Sequence, residues 1–268
     1  MQYDPIKRSL GKVFNANPVL RKLFYRLLDL LLLRAWYIKK EVRKWKSSHP
    51  EADILDAGAG FGQYTFFMSG LNKNWNVTAV DVKDEQVDDC NQFFKKIGRG
   101  GKVNFEVADL TKFERKEKFD LILSVDVMEH ILDDIGVFRN FYASMKKGGM
   151  LLISTPSDQG GSDVHDDDDH SFIDEHVRDG YNVDDIRIKL ENAGFKNIEV
   201  DYTYGKPGQL SWKLSMKYPI TILNASKLFF ILLPFYYLVA YPVAFVLNYF
   251  DLSGKHSSGT GLMVKACK

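Results

Sequence analysis

The chain has 268 residues, which is long enough for one large α/β domain or for one domain with additions. Its 36 basic and 35 acidic side chains nearly cancel, so the overall charge indicates no class of partner, and we expect no nucleic acid to bind. Cys90 and Cys267 have no Cys or His neighbour at metal-ligand spacing. This excludes a cysteine-based metal site and favours a reduced, cytosolic chain.

A basic amphipathic pattern extends from residue 18 to residue 45. Apolar residues recur every three or four positions, which predicts a helix. Counted through Lys46, the segment holds nine Lys or Arg against Asp29 and Glu41, a net charge of +7. Two roles stay open for it: a helix that covers a ligand cleft, or one that rests on an anionic membrane surface. The residues before it contain no apolar signal segment, so we expect no secretory signal.

Residues 54–64, ILDAGAGFGQY, predict a strand, a tight loop and the start of a helix. The loop contains three alternating glycines, Gly58, Gly60 and Gly62. Without a Cβ they can adopt positive φ and let the backbone approach a ligand. Asp56 precedes them, and Asp81 ends the next apolar run, at about the separation that nucleotide folds use for ribose. The spacing is not the dinucleotide fingerprint, and Asp56 would repel a pyrophosphate.

An acid ahead of the glycines suits a ligand with a cationic end, such as the ammonium and sulfonium of S-adenosylmethionine (SAM). Here the residues resemble the class I SAM-dependent methyltransferases, over roughly residues 53–204 plus the last strand; the alternative is a glycine turn in another α/β protein. The resemblance implies SAM as cofactor and a doubly wound, seven-stranded, mostly parallel α/β sheet with an antiparallel last strand. The residues it assigns to the cofactor are Asp56, Gly58, Gly60, Gly62, Tyr64, Asp81, Val82, Asp109, Leu110 and Asp126.

Within this set, the resemblance places Asp56 and the glycines at the methionine end of the cofactor and Asp81 at the ribose. Asp109 follows the third predicted strand, where an acid of the family receives the adenine amino group. A turn-forming Asp is the alternative at this position.

The rest of the chain alternates strand and helix patterns, as a doubly wound sheet requires. The further predicted strands are residues 76–80, 103–107, 119–125, 150–155, 196–204 and 260–266. The predicted helices are residues 63–69, 84–97, 138–147 and 182–193. Residues 119–125, FDLILSV, form a continuous apolar run, which is typical of a strand buried on both faces.

Three residues are candidates for catalysis. Asp126 and His130 follow the fourth strand, whose carboxyl end should flank the reacting methyl group. His176 is the candidate general base, because its imidazole is neutral near pH 7. Arg178 is expected to bind an anionic substrate group, with Tyr181 beside it. The alternative is an ordinary loop histidine and a surface arginine.

The loop around these residues is rich in His and Asp, from His165 through the run 166–169 to His170 and Glu175. Four adjacent aspartates cannot all face one ion, and acidic runs are usually solvated. We therefore expect no metal.

Residues 228–250 contain no charged side chain and would be about 34 Å long as one helix, enough to cross a bilayer. The strands before and after this segment belong to one sheet, which argues against a single crossing. A monotopic hairpin or an interfacial helix pair satisfies both conditions. The alternative is a buried lid or a dimer contact.

We divide the chain into an N-terminal helical segment (1–50), a SAM-binding domain (51–205), an apolar, membrane-associated insertion (206–253) and the final strand (254–268). The expected function is SAM-dependent methyl transfer to O or N of a lipophilic or membrane-embedded acceptor, by a peripheral or monotopic protein on the cytoplasmic face of a membrane. Alternatives are a soluble small-molecule methyltransferase with the insertion as lid, a non-catalytic membrane-bound protein, and a transferase that uses decarboxylated SAM. No oligomeric state is predicted.

Overall fold

A computed structural model describes residues 17–160, 177–225 and 227–268. The strands are β1 (Ala52–Ala57), β2 (Trp75–Asp81), β3 (Val103–Val107), β4 (Phe119–Val125), β5 (Met145–Pro156), β6 (Lys196–Thr203) and β7 (Gly261–Cys267). The helices are α1 (Pro18–Leu31), α2 (Leu33–Lys46), α3 (Gln63–Leu71), α4 (Asp84–Lys96), α5 (Asp134–Ser144), α6 (Val183–Ala193), α7 (Lys206–Trp212), α8 (Tyr218–Ala225) and α9 (Leu233–Ser253). Short 3-10 turns cover Met128–His130 and Lys227–Ile231, and a π-helical segment covers Lys213–Lys217.

The seven strands form one sheet in the order β3-β2-β1-β4-β5-β7-β6. Strands β1 to β5 pair in parallel, and β7 is antiparallel to both β5 and β6. The predicted fold is therefore confirmed. The strand order reverses between β1 and β4, and open α/β sheets bind their ligands outside the carboxyl ends of the strands at such a point.

Apolar side chains cover both faces of this sheet. One core joins β2 to α2, α3 and α4 and contains Trp75 and Phe94, both fully buried. The other core joins the opposite face to α5 and α6 and contains Phe138 and Leu190. Each such side chain contributes about 1.5–3 kcal/mol by leaving water. The sheet is thus held in place by an apolar core on each face, which fixes the position of its carboxyl edge.

The region of α5 and β5 differs from the prediction at both element boundaries. The helix starts at Asp134, four residues earlier than predicted, because the Asp133 side chain accepts a hydrogen bond from the Gly136 N–H and caps it. The following strand starts at Met145 instead of residue 150. Met145 is fully buried and pairs with Phe119, so burial overrides the two-glycine stop signal that follows.

The N-terminal helical pattern folds as two helices. Leu32 has extended backbone (φ −95°, ψ 107°) and separates α1 from α2. This change of direction buries Leu32 and Leu33 while Leu30 stays exposed. The wide apolar stripe of the sequence is therefore divided between two helices with different orientations.

Residues 206–253 form an antiparallel helical pair, here called the hairpin. The Ser211 hydroxyl donates to the Ala244 carbonyl (3.0 Å), and the Tyr237 hydroxyl donates to the Ser215 carbonyl (2.8 Å). The second helix begins at Leu233, with Pro234 in its first turn, and it continues through Pro242. In the described part of the chain, Leu233–Ser253 is the one helix long and apolar enough to cross a membrane.

Candidate active site at the carboxyl edge of the sheet

The glycine loop begins directly after β1. Gly58, Gly60 and Gly62 all adopt positive φ, at 78°, 50° and 77°. A Cβ on Gly58 would lie 2.3 Å from Val127 Cγ2, so the close approach of the loop to the segment after β4 requires glycine. A Cβ on Gly60 would meet no atom within 4 Å, so the backbone there faces open space.

Asp81 ends β2 and fixes the loop from the neighbouring strand. Its Oδ2 accepts a hydrogen bond from the Gly60 N–H (2.8 Å), and its Oδ1 accepts one from the Lys83 N–H (3.1 Å). Val82, the next residue, is exposed at the same edge. The two signals that the sequence analysis paired are thus in direct contact, while ribose binding by Asp81 stays a prediction.

Asp56 lies below the loop and is buried. Its Oδ2 accepts a hydrogen bond from the Thr65 hydroxyl of α3 (2.5 Å). Burial is the largest effect on its carboxyl group, and with the charge of Asp81 it outweighs the Thr65 hydrogen bonds and raises the pKa to about 6. Contact between Asp56 and the methionine end of the cofactor stays a prediction.

Asp109 and Leu110 follow β3 in different environments. Asp109 is exposed, and its Oδ1 accepts hydrogen bonds from the Thr111 N–H (2.9 Å) and hydroxyl (2.7 Å). These bonds hold the pKa of Asp109 below its usual value. Leu110 is buried in the core. Asp109 therefore forms the turn given as its alternative role, and its contact with adenine stays a prediction.

Asp126 stands at the end of β4 with φ of 51°, a conformation that is costly for a residue other than glycine. Its N–H donates to the Ser154 carbonyl (2.9 Å). Its Oδ2 lies 2.5 Å from Arg34 Nη1, near the start of α2. The ion pair connects the N-terminal helices to the edge where the sequence analysis placed the reacting methyl group.

Arg34 was missed as a site residue, because the helical pattern assigned it to the basic face of one long helix. Its backbone N–H donates to the Tyr204 hydroxyl (3.0 Å), at the residue that follows β6. A signal was present: Arg34 interrupts a run of leucines and Ala35, and a partly buried charge in an apolar run favours a partner of opposite charge.

Tyr64, predicted to contact the cofactor, is buried on α3, and its hydroxyl has no hydrogen-bond partner. Burial is the main cause that raises its pKa, which the nearby Arg34 charge partly offsets. A buried, unpaired hydroxyl costs free energy unless a ligand or water satisfies it.

Glu129, just beyond Asp126, is a buried carboxyl that was not proposed as a site residue. Its Oε2 accepts a hydrogen bond from the Thr155 hydroxyl (3.1 Å). Burial, followed by the charge of Asp126, raises its pKa to about 8. The neighbouring His130 is exposed. The catalytic roles of Asp126 and His130 stay predictions, and His176 lies outside the described residues.

Arg178 and Tyr181 lie together against the segment after β4. The Arg178 guanidinium contacts the Asp134 carboxylate and the Tyr181 hydroxyl, and it donates to the Ile131 carbonyl (2.9 Å). Tyr181 is fully buried, and its hydroxyl donates to Asp134 Oδ2 (2.8 Å). These contacts anchor the segment that carries Glu129, and substrate binding by Arg178 and Tyr181 stays a prediction.

Helix α1 covers the glycine loop. Arg21 is buried; its Nη2 donates to the Phe61 carbonyl (2.9 Å), and its Nη1 lies 2.6 Å from Asp89 Oδ2 of α4. Gln63 Nε2 donates to Asp29 Oδ1 (2.8 Å). The role given to this segment as a cover of the ligand cleft agrees with these contacts.

The residues at this edge fit a cofactor with a cationic end. The carboxylate of Asp81 bonds to the glycine loop, that of Asp56 lies below it, and Asp126 stands at the end of the neighbouring β4. A Cβ on Gly60 would meet open space, so a ligand can approach the backbone there. Carboxylates would repel a pyrophosphate and attract an ammonium or sulfonium. Among the described residues, no group of His, Cys, Asp and Glu could hold a metal ion, and the His165–Glu175 loop lies outside them.

Comparison with known proteins finds methyltransferases among the proteins that this chain resembles. Residues 55–151 match a family model described as a methyltransferase domain. Phosphoethanolamine N-methyltransferase 1 of Triticum aestivum is 34% identical over 156 residues, which cover 54% of this chain and 28% of that protein. Malonyl-[acyl-carrier protein] O-methyltransferase 2 of Ilyobacter polytropus is 29% identical over 103 residues, which cover 38% of this chain and 39% of that protein. The chain thus spans only part of the length of these relatives.

Solved structures share the fold at low sequence identity. Phosphoethanolamine N-methyltransferase 2 of Haemonchus contortus, in complex with S-adenosyl-L-methionine, has a TM-score of 0.59 at 17% identity and covers 91% of this chain and 60% of that one. A SAM-dependent methyltransferase of Mesorhizobium loti has a TM-score of 0.52 at 18% identity and covers 84% and 96%. Together with the glycine loop and its acids, these findings show that residues 55–151 match a methyltransferase domain and that the chain has the fold of SAM-dependent methyltransferases of known structure.

Proposed function

We propose that this chain transfers a methyl group from SAM to the nitrogen or oxygen of a lipophilic acceptor at the cytoplasmic face of a membrane. The observation that carries the proposal is the distribution of polar and apolar side chains in the hairpin. A water-soluble helix pair buries its apolar side chains, whereas this pair exposes them.

The outward face of the hairpin is apolar. Leu238, Val239 and Phe235 are 76%, 72% and 69% exposed, and they lie on the helix that meets the length and composition of a membrane span. A contiguous exposed surface of this kind is rare on soluble monomers and typical of a membrane or protein contact.

The inward face of the hairpin carries small and polar side chains. Ser211, Ser215, Asn248 and Asp251 are all buried, together with Ala240 and Ala244. Polar groups that face a helix partner while apolar groups face outward are the arrangement found in lipid, where water cannot satisfy them. In α1, Arg21 and Tyr25 are buried, and an apolar stripe is exposed next to Lys22 and Arg26. The exposed residues of that stripe are Leu20, Leu23, Leu27 and Leu30.

The connectivity of the hairpin supports insertion into one leaflet. Strands β6 and β7 flank it and pair with each other, so the chain enters and leaves it on one side. The segment between them includes Lys206, Lys213 and Lys217, which suit an anionic membrane surface.

Contacts connect the hairpin to the edge where the reacting methyl group is expected. Tyr204 lies between β6 and the hairpin and contacts Arg34, which pairs with Asp126. An acceptor held in the membrane would therefore approach at the edge where β4 ends. When bound, SAM supplies an activated methyl group, and the protein's task is to hold and orient the two reactants. Asp56 and the glycine loop would hold the methionine end, Asp81 the ribose and Asp109 the adenine.

Two kinds of experiment test the proposal. In the first, the purified chain is floated with vesicles of neutral or of partly anionic lipid, and we expect it to float with both, more completely with the anionic ones. Leu238→Asp with Val239→Asp should abolish flotation, whereas the matched control Ile188→Asp, which changes an exposed residue on α6, should leave it intact. An equal loss in both variants would contradict the hairpin as the membrane contact.

In the second experiment, the chain is incubated with methyl-labelled SAM and a total lipid extract. Label in the organic phase is the expected result. Label confined to water-soluble products, together with absent flotation, would favour the alternative in which the hairpin is a substrate lid. Absence of SAM binding by calorimetry would favour the non-catalytic alternative.

A further inference from the structure

The Arg34 guanidinium lies where the acceptor is expected. Its Nη1 is 2.5 Å from Asp126 Oδ2, and its backbone N–H donates to the Tyr204 hydroxyl. Burial alone would lower the pKa of Arg34, but the charge of Asp126 and the hydroxyls of Tyr64 and Tyr204 outweigh it and raise the pKa. The surroundings of this guanidinium are thus arranged to hold a cation.

Two features mark this place in addition to the ion pair. The Tyr64 hydroxyl is buried beside the Arg34 guanidinium and has no other hydrogen-bond partner. Asp126 is held at positive φ, and such strained residues persist where the surrounding structure requires a particular side-chain position. An ordinary surface ion pair needs neither feature.

We propose that Asp126, Tyr64 and Tyr204 form a binding site for an organic ammonium group of the acceptor, and that Arg34 is the internal cation that occupies it in the structure. A guanidinium and an alkylammonium both donate charged N–H groups to a carboxylate, so one site can accept either. The proposal rests on the proposed function and narrows its acceptor class to amines. Arg34 then acts as a specificity residue, because only a ligand that pairs with Asp126 at least as well can replace it.

The ammonium of SAM has the same chemistry as an amine acceptor. Two other carboxylates, Asp56 and Asp81, already stand at the glycine loop for the cofactor, whereas Asp126 belongs to the adjacent strand and is linked to the hairpin through Arg34 and Tyr204. This placement favours the acceptor's ammonium, rather than that of SAM, as the partner of Asp126. The experiment distinguishes the two by saturating the cofactor site before the amine is added.

The test uses Arg34→Gln, with butylammonium as the probe and 1-butanol as its uncharged counterpart. The full-length protein is saturated with S-adenosylhomocysteine, and probe binding is followed by protein-observed NMR titration. Removing the competing guanidinium should tighten butylammonium binding about three- to tenfold, without changing 1-butanol binding. Adding Asp126→Asn should abolish the gain. Arg43→Gln, an exposed arginine on the same helix, is the matched control and should behave like the wild type.

Several outcomes would overturn the inference. Unchanged butylammonium affinity in Arg34→Gln, or an equal gain for 1-butanol, would mean that the pair only stabilises the fold. Tighter binding of S-adenosylhomocysteine or SAM without a gain for the amine would assign the site to the cofactor. If Arg34→Gln does not fold, Asp126→Asn alone decides, because it must lose butylammonium binding. A protein that binds SAM and vesicles but no ammonium refutes this inference alone, whereas failure to bind SAM refutes the proposed function.

Discussion

Replacing Glu129 by Gln should remove a pH dependence of stability that the wild-type chain carries. The side chain is 1% exposed, and Glu129 Oε2 accepts a hydrogen bond from the Thr155 hydroxyl. Burial, followed by the nearby charge of Asp126, raises its pKa from 4.5 to about 8. The folded state therefore keeps the proton over a range in which the unfolded state has lost it.

The sign follows from this difference in proton binding. Below about pH 4.5 both states are protonated, and the full stabilising contribution is present. As the pH rises, the unfolded chain ionises first, so the free energy of unfolding falls until the folded carboxyl ionises near pH 8. The difference of about 3.5 units between the pKa of Glu129 in the unfolded and folded states corresponds to a loss of roughly 5 kcal/mol at most in the free energy of unfolding. Gln does not titrate and can still accept the Thr155 hydrogen bond, so the variant should lack this fall.

The assay is urea unfolding of both proteins at pH 5, 7 and 8.5. The wild type should lose stability relative to Glu129→Gln at each step up to about pH 8, by several kcal/mol in total. Glu114→Gln, which changes an exposed carboxylate between β3 and β4, is the matched control and should follow the wild type. Parallel curves for the wild type and Glu129→Gln would refute the argument that burial holds the proton on this group.

Two further substitutions test the glycine loop. Gly58→Ala should destabilise the fold by about 2 kcal/mol or more, because its Cβ would lie 2.3 Å from Val127 Cγ2 at a φ of 78°; a melting temperature within a degree of the wild type would contradict this. Asp81→Asn should weaken SAM binding by about tenfold in calorimetry, since it removes the charge expected at the ribose and weakens the bond to the Gly60 N–H. Its vesicle flotation should be unchanged, and unaltered SAM affinity would exclude Asp81 from the site.

The parts of the fold that could be predicted from sequence depend on local signals. The run that ends at Asp56, the glycine spacing and the second acid Asp81 are close in sequence, and their contact in space follows from the parallel pairing of β1 and β2. The antiparallel β7 came from the resemblance to the methyltransferase family. Helix α6 was placed to within one residue, because Asn182 caps its start and Gly194 ends it.

The parts that could not be predicted depend on contacts between distant residues. Arg34 and Asp126 are far apart in the sequence, with β1 to β4 between them, and nothing near Arg34 specifies which carboxylate it meets. The break at Leu32 has no Gly or Pro to mark it, so only the packing of α1 and α2 against different surfaces reveals it. The start of β5 at Met145 was also missed, because it depends on the pairing of Met145 with Phe119 of the neighbouring β4.

Asp251, at the end of the hairpin, connects it to the helix that carries Arg34, and this connection leads to a prediction. Asp251 is fully buried at the end of α9 and accepts hydrogen bonds from the Gly208 N–H (2.9 Å) and from the Tyr37 hydroxyl of α2 (2.7 Å). Because α2 also carries Arg34, the proposed insertion of the hairpin into a bilayer would act through Tyr37 on the pair with Asp126. Tyr37→Phe removes this link at a cost of about 1–2 kcal/mol in stability. If this contact acts on the site, vesicles should stimulate methyl transfer by the wild type. We expect Tyr37→Phe to float with vesicles as the wild type does but to show much less of that stimulation. Undiminished stimulation would show that the hairpin brings the enzyme to its acceptor without acting on the site.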